Sequence, residues 1–264
     1  MAADLPVLTG VLLEQRRSLM LWAAAVAAVS ALYTSFYPAM GGADLQSLID
    51  GLPEELVTVL GYDKIGTPGG YLSSTVYGLL GPVLLLVFAI GAGARLIAGE
   101  EEDGTLELEL TAPVARSRLF GERLLALWLD VVVLVGVLTI TTLVLVVTLG
   151  IDVGLSQLLA GSTALLLLVL GFGTLAMAVG AATGRRALGL GVAAGLAVLA
   201  FMFDAIGPTV DAGWMNAVSP FSWYMAGDPL INGFDVPGLL LLAAVPLAAA
   251  IGGVLAFMRR DLMV

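Results

Sequence analysis

Cysteine and histidine are both missing from this 264-residue chain, and lysine occurs once, at Lys64. Without Cys there are no disulfides and no thiolate chemistry; without His there is no imidazole catalysis and no His-ligated metal site. No catalytic or metal-binding set emerges from what is left. Charge is also scarce, at 12% of residues, whereas hydrophobic types make up 59% and the mean hydropathy is +1.03. Soluble domains carry about 25% charged residues, so the solvent of this chain is lipid. A β-barrel would show short alternating segments, but the apolar runs here are continuous and long enough for helices.

The runs predict an all-α polytopic membrane protein with six spans, at about 18–38, 77–98, 122–149, 157–183, 188–206 and 238–258. Cations in short loops collect on the cytoplasmic side, which gives an independent test of the order. Arg16 and Arg17 precede the first span, and Arg95, Arg116, Arg118 and Arg123 lie between the second and third or at their facing ends. Arg185 and Arg186 separate the fourth and fifth, and Arg259 and Arg260 follow the sixth. Only Lys64 falls on the other side, so both termini are expected in the cytoplasm. A signal peptide is the other reading of the first span, given Arg16, Arg17 and the run Ala23, Ala24 and Ala25. Its apolar run is longer than a signal core, and removing it would spoil the charge pattern.

The net charge of −10 sits mainly outside, on Asp44, Asp50, Glu54, Glu55, Asp63, Asp152, Asp211, Asp228 and Asp235. Such a face repels nucleic acid, and a merely solvated acidic surface describes it equally well. Two external loops exceed simple connections. At about 39–76, Leu45, Leu48, Ile49 and Leu52 recur at helical spacing, and Pro53, Glu54 and Glu55 read as the first turn of a second short helix. These helices either rest on the outer interface or pack on the spans. The loop at about 207–237 holds Trp214, Phe221, Trp223 and Tyr224, either an anchoring belt at the headgroups or an outer gate touching an amphipathic substrate. Small residues recur at four-residue spacing in Ala176, Gly180 and Gly184, in Gly191 and Gly195, and in Ala248, Gly252 and Ala256, a packing pattern of membrane helices.

The cytoplasmic stretch at about 99–121 gathers acids and arginines beside otherwise sparse loops. Either it is a solvated juxtamembrane loop, or it is built for a soluble partner whose motion it passes into the bilayer. Leu106, Leu108 and Leu110 alternate like a strand, which leaves the element type open. Pro113 suits the start of the re-entering helix. The residues Glu100, Glu101, Glu102, Gly104, Thr105, Leu106, Glu107, Pro113, Val114, Arg116, Ser117 and Arg118 resemble the intracellular coupling segment of the type-2 ABC exporter permeases. The external segments Thr67 to Leu72 and Ser219 to Leu230 are similar to that family as well, and the half-size permeases linked to efflux of antibiotics and lipophilic compounds are the closest in character. Glu122 departs from it, since relatives often carry a basic residue there. The resemblance implies a dimer with a second copy or a homologous permease, and a pair of separate ABC ATPase subunits docked on the coupling segments. It also implies a substrate route between the membrane halves, and an interfacial helix at about 5–17 carrying Leu5, Leu8, Leu12 and Leu13. No Gly-x-x-x-x-Gly-Lys-Ser/Thr loop exists, so ATP and Mg are expected in the partner and no cofactor on this chain.

Two rival readings remain. An ion-coupled secondary transporter would use Asp130 and Asp204, the two acids inside spans, because intramembrane carboxylates are functional suspects. A membrane scaffold of an assembly machine would share the fold without the transport.

Overall fold

The computed structural model describes residues 6–40, 64–104, 115–210, 212–225 and 227–260, with positions 51, 53 and 57. Among these residues there is no strand, and six helices are long and apolar enough to cross a membrane. They are α1 (Pro6–Met40), α2 (Pro68–Glu102), α3 (Arg116–Leu149), α4 (Leu155–Thr183), α5 (Arg186–Ile206) and, last in the chain, α9 (Val236–Arg259). Between α5 and α9 lie three short helices, α6 (Gly213–Val218), α7 (Pro220–Met225) and α8 (Pro229–Asn232). The chain is thus an all-α multi-pass membrane protein. Leu45, Leu48, Ile49, Leu52, Glu54 and Glu55 of the first external loop lie outside the described residues, as do Thr105 to Val114 of the cytoplasmic stretch.

Helix ends follow local chemistry. The Thr67 hydroxyl accepts from the Gly70 N–H at 3.1 Å and donates to the Lys64 carbonyl at 2.8 Å, so α2 starts with Pro68 in its first turn, nine residues before the apolar run at 77. Asp235 accepts from the Gly238 N–H at 3.1 Å and starts α9 in the same way. The chain leaves α3 and α4 through Gly150 and Gly184, each at φ +66, the left-handed conformation that favours glycine. α1 is one continuous helix from Pro6 to Met40, so residues 6–17 of the segment expected to lie along the interface and the first apolar run belong to a single element. At 1.5 Å per residue its 35 residues reach about 52 Å, beyond a hydrocarbon core of about 30 Å.

The core is centred on α4, with 78% of its apolar window buried, against 17% for α1 and α9 and 22% for α5. It packs against α9, α2, α5, α3 and α8, while α1 leans mainly on α3. Small residues let backbones approach: a β-carbon on Gly93 of α2 would meet Met177 N at 3.3 Å, and one on Gly173 of α4 would meet the Ala89 side chain at 3.0 Å. Of the glycines read as ridges, Gly180 faces Ala98, whereas a β-carbon on Gly191, Gly195 or Gly252 would meet nothing within 4 Å among the described residues. On α9 the glycine packed against other spans is Gly253, against Ala178 and Phe120.

Two stretches of α2, Ser73–Leu80 and Arg95–Gly99, have π-helical winding. The first has a visible cause. The Gly81 N–H turns back to the Val76 carbonyl, and Pro82 has no N–H, so neither usual helical donor serves the Tyr77 carbonyl. Tyr224 of α7 supplies the bond, donating from its hydroxyl to Tyr77 O at 2.7 Å. Tyr77 in turn shares a hydrogen bond with Ser162 of α4 at 2.9 Å, and Thr139 of α3 donates to the same Ser162 at 2.7 Å.

Candidate coupling site and apolar groove

Three consecutive carboxylates at the Arg-bearing end reach three different helices. Glu100 pairs with the guanidinium of Arg123 on α3, which also donates to the Leu96 carbonyl. Glu101 makes a two-pronged pair with Arg260, the residue that follows α9. Glu102 accepts from the backbone N–H of Arg186, the first residue of α5, at 2.9 Å. A carboxylate at a helix start satisfies an N–H that has no intrahelical partner and faces the positive end of the dipole. Arg260 also donates to the Ala181 carbonyl in the last turn of α4 at 3.1 Å, and Arg116 donates to the Arg260 carbonyl at 2.8 Å. The end of α2 is therefore clasped to α3, α4, α5 and α9 together.

The carboxylates of Glu100, Glu101 and Glu102, expected in a segment built for a soluble partner, are all engaged with other helices of the chain. Glu102, Asp103 and Gly104 are exposed, and Gly104 turns the chain at φ +71. Arg116 and Arg118 open α3. Thr105, Leu106, Glu107 and Pro113 belong to the residues left undescribed. Glu122 has a role of its own: one oxygen accepts from the N–H groups of Val7 and Leu8 at 3.1 Å each, and the other accepts from Arg118 at 2.8 Å. A basic residue could not cap the start of α1 in this way, which accounts physically for the acid at this position.

At the opposite end the four aromatics separate. Phe221 and Tyr224 are buried, Trp223 is half-buried and donates to the Ala217 carbonyl at 3.0 Å, and Trp214 is exposed with its ring edge-on to Phe203 at 5.6 Å. Phe221 meets Phe201 of α5 at 5.5 Å and Phe172 of α4 at 6.2 Å. It also closes one end of a groove of about 350 Å³ between α2 and α5, lined by apolar side chains including Leu79, Val83, Val87, Leu190 and Val198. The groove, Phe172 and Phe201 escaped the sequence reading, since no local signal brings residues 78–91 against 190–201. Lys64 pairs with Asp228, the one described non-glycine residue at positive φ, and so ties the start of α2 to the turn before α8.

The two intramembrane acids are not brought together by hydrogen bonds. Asp204 accepts from the Ser222 hydroxyl at 2.7 Å and joins α5 to α7, where Asn216 and Ser219 add bonds to Ser222 and to the Ala200 carbonyl. Asp130 is buried in α3, and its Oδ2 has no hydrogen-bond partner among the described residues.

Burial pushes the Tyr224 hydroxyl well above its ordinary value, so it remains a donor throughout the physiological range. Tyr224→Phe is expected to leave the Tyr77 carbonyl unsatisfied and to cost about 1–3 kcal/mol, read as a lower midpoint in denaturant titration of the detergent-solubilised chain.

The family described as ABC-2 family transporter protein has a model that matches residues 12–262. No curated protein matches the chain.

Proposed function

This chain belongs to the ABC-2 transporter family, and from that premise we propose that it exports a lipophilic or amphipathic compound, powered by a separate ATPase subunit docked on the segment 99–121. Membership makes it the membrane-embedded permease part of an ABC system. Direction, cargo class and partner geometry are the proposal. The observation that carries the cargo class is the groove between α2 and α5: its walls offer an amphipathic molecule dispersion contacts and no charge to desolvate. Its sides remain half exposed in the single chain, as Val83 at 50% and Val198 at 59% show, which supports a second copy or a homologous permease, with lipid, completing the route.

At the Arg-bearing end, Glu100, Glu101, Glu102, Gly104, Arg116 and Arg118 would form the docking region together with Thr105, Leu106, Glu107 and Pro113. Glu102, Asp103 and Gly104 offer the exposed face, while the carboxylate pairs fix that face to the bundle. ATP and Mg would be held by the docked subunit. Phe221, with Trp214, Trp223 and Tyr224 of the same loop, would gate the outer end.

Gly91 provides the test of the groove. It lies on the wall, and a β-carbon there meets nothing within 4 Å. Gly91→Phe is therefore expected to fold normally and to lower ATP-dependent transport of a lipophilic fluorescent cation about tenfold, with ATPase binding unchanged. Full transport in this variant would place the route elsewhere.

A further inference from the structure

We infer that Arg260 is a positioning residue for transport, carrying movement of the Glu101 end of α2 into α4 at the centre of the bundle. The inference rests on the docking reading above. One side chain meets two elements here and its backbone a third. Both terminal nitrogens reach the Glu101 carboxylate, and Nη1 also donates at 3.1 Å to the Ala181 carbonyl of α4. Arg116 at the start of α3 holds the Arg260 carbonyl at 2.8 Å.

A planar guanidinium with a fixed fork of donors satisfies a carboxylate and a carbonyl together, and a cation at this place faces the negative end of the α4 dipole. The surroundings fit the side chain. Gly184 ends α4 at φ +66, and a β-carbon on it would overlap the guanidinium. The Arg260 and Glu101 side chains are 17% and 18% exposed, so water screens their attraction weakly. Farther along α4, Phe172 meets Phe221 at the end of the groove. A displacement of Glu101 thus has a packed route through Arg260 and α4 to the outer aromatic contact.

The test uses the full chain in lipid nanodiscs, co-expressed with the ATPase subunit of its system. Because the chain has no Cys, Val218→Cys on the exposed side of α6 accepts a single environment-sensitive fluorophore. ATP is expected to change its emission. Arg260→Met should keep hydrolysis per bound ATPase subunit within about twofold, yet reduce that emission change, per ATP hydrolysed, about tenfold. Arg260→Lys, with its cation and three donors, should restore at least about half of it. Gly184→Val should reproduce the loss. Normalising to the bound ATPase removes any effect of lower folding yield. A wild-type emission change in Arg260→Met, with the ATPase bound, overturns this inference alone. A wild-type chain that binds no ATPase overturns the docking reading and the inference with it.

Discussion

Glu100→Ala is expected to destabilise the folded chain by about 3 kcal/mol, because it removes a counter-ion from a guanidinium that is completely buried. Arg123 is 0% exposed and Glu100 25%, so the pair sits at the edge of the packed interior. Two charges withdrawn from water are held by each other and by added hydrogen bonds such as that from Arg123 to the Leu96 carbonyl. Deleting the acid leaves most of the desolvation cost of the cation unopposed. Replacing both partners with apolar groups removes that cost at its source. Glu100→Met with Arg123→Met is therefore expected to recover most of the lost stability, measured by SDS titration of the protein in mixed micelles. An additive double variant would show that the two side chains do not act as a pair. Because Glu100 anchors the end of α2, the single variant is also expected to bind less ATPase subunit.

Gly93→Val should be as damaging, by a steric route. The β-carbon would press against the Gly173 carbonyl and lie 3.2 Å from Gly173 C and 3.3 Å from Met177 N, all backbone of α4. A backbone cannot rotate away as a flexible side chain does, so the α2–α4 crossing must open. Overpacking of this kind costs about 3 kcal/mol. Gly173→Ala meets the Ala89 β-carbon at 3.0 Å and should cost about 1 kcal/mol, since one small shift relieves it. Gly91→Ala, two residues along the same helix and facing open space, should be close to neutral. The order of the three midpoints in the same titration tests the packing account, and a Gly93→Val midpoint equal to that of Gly91→Ala would contradict it.

The spans were legible because hydrocarbon demands long apolar runs and leaves a strong signal in the chain. Helix ends were less so. The start of α2 is set by a hydroxyl cap at Thr67, in a polar stretch that hydropathy does not register. The four-residue ridges identified the packing face of α4, where Ala176 and Gly180 are buried, but missed it on α9. There the buried positions are Gly238, Leu242, Pro246, Gly253 and Phe257, and Gly252 lies one residue from Gly253, about 100° around the helix.

The candidate site was legible as a place and not as a set of contacts. The acids at 100–102 stood out by density, yet their partners are 23, 159 and 84 residues distant, which no local spacing reports. Arg123 carried a readable signal: it lies in the same stripe as Phe120, Ala126, Leu127 and Asp130, the buried face of α3, where a cation demands a partner. Arg260 carried none, because a terminal arginine looks like any topology-setting cation.

Reconstitution tests most directly whether a separate ATPase drives this chain. The full chain and its ATPase subunit would be placed in liposomes loaded with a lipophilic fluorescent cation, with all ion gradients collapsed by ionophores. ATP-dependent movement of the dye, absent without the ATPase subunit, is the expected result. Movement driven by an imposed proton or sodium gradient, with no ATPase present, would contradict the account.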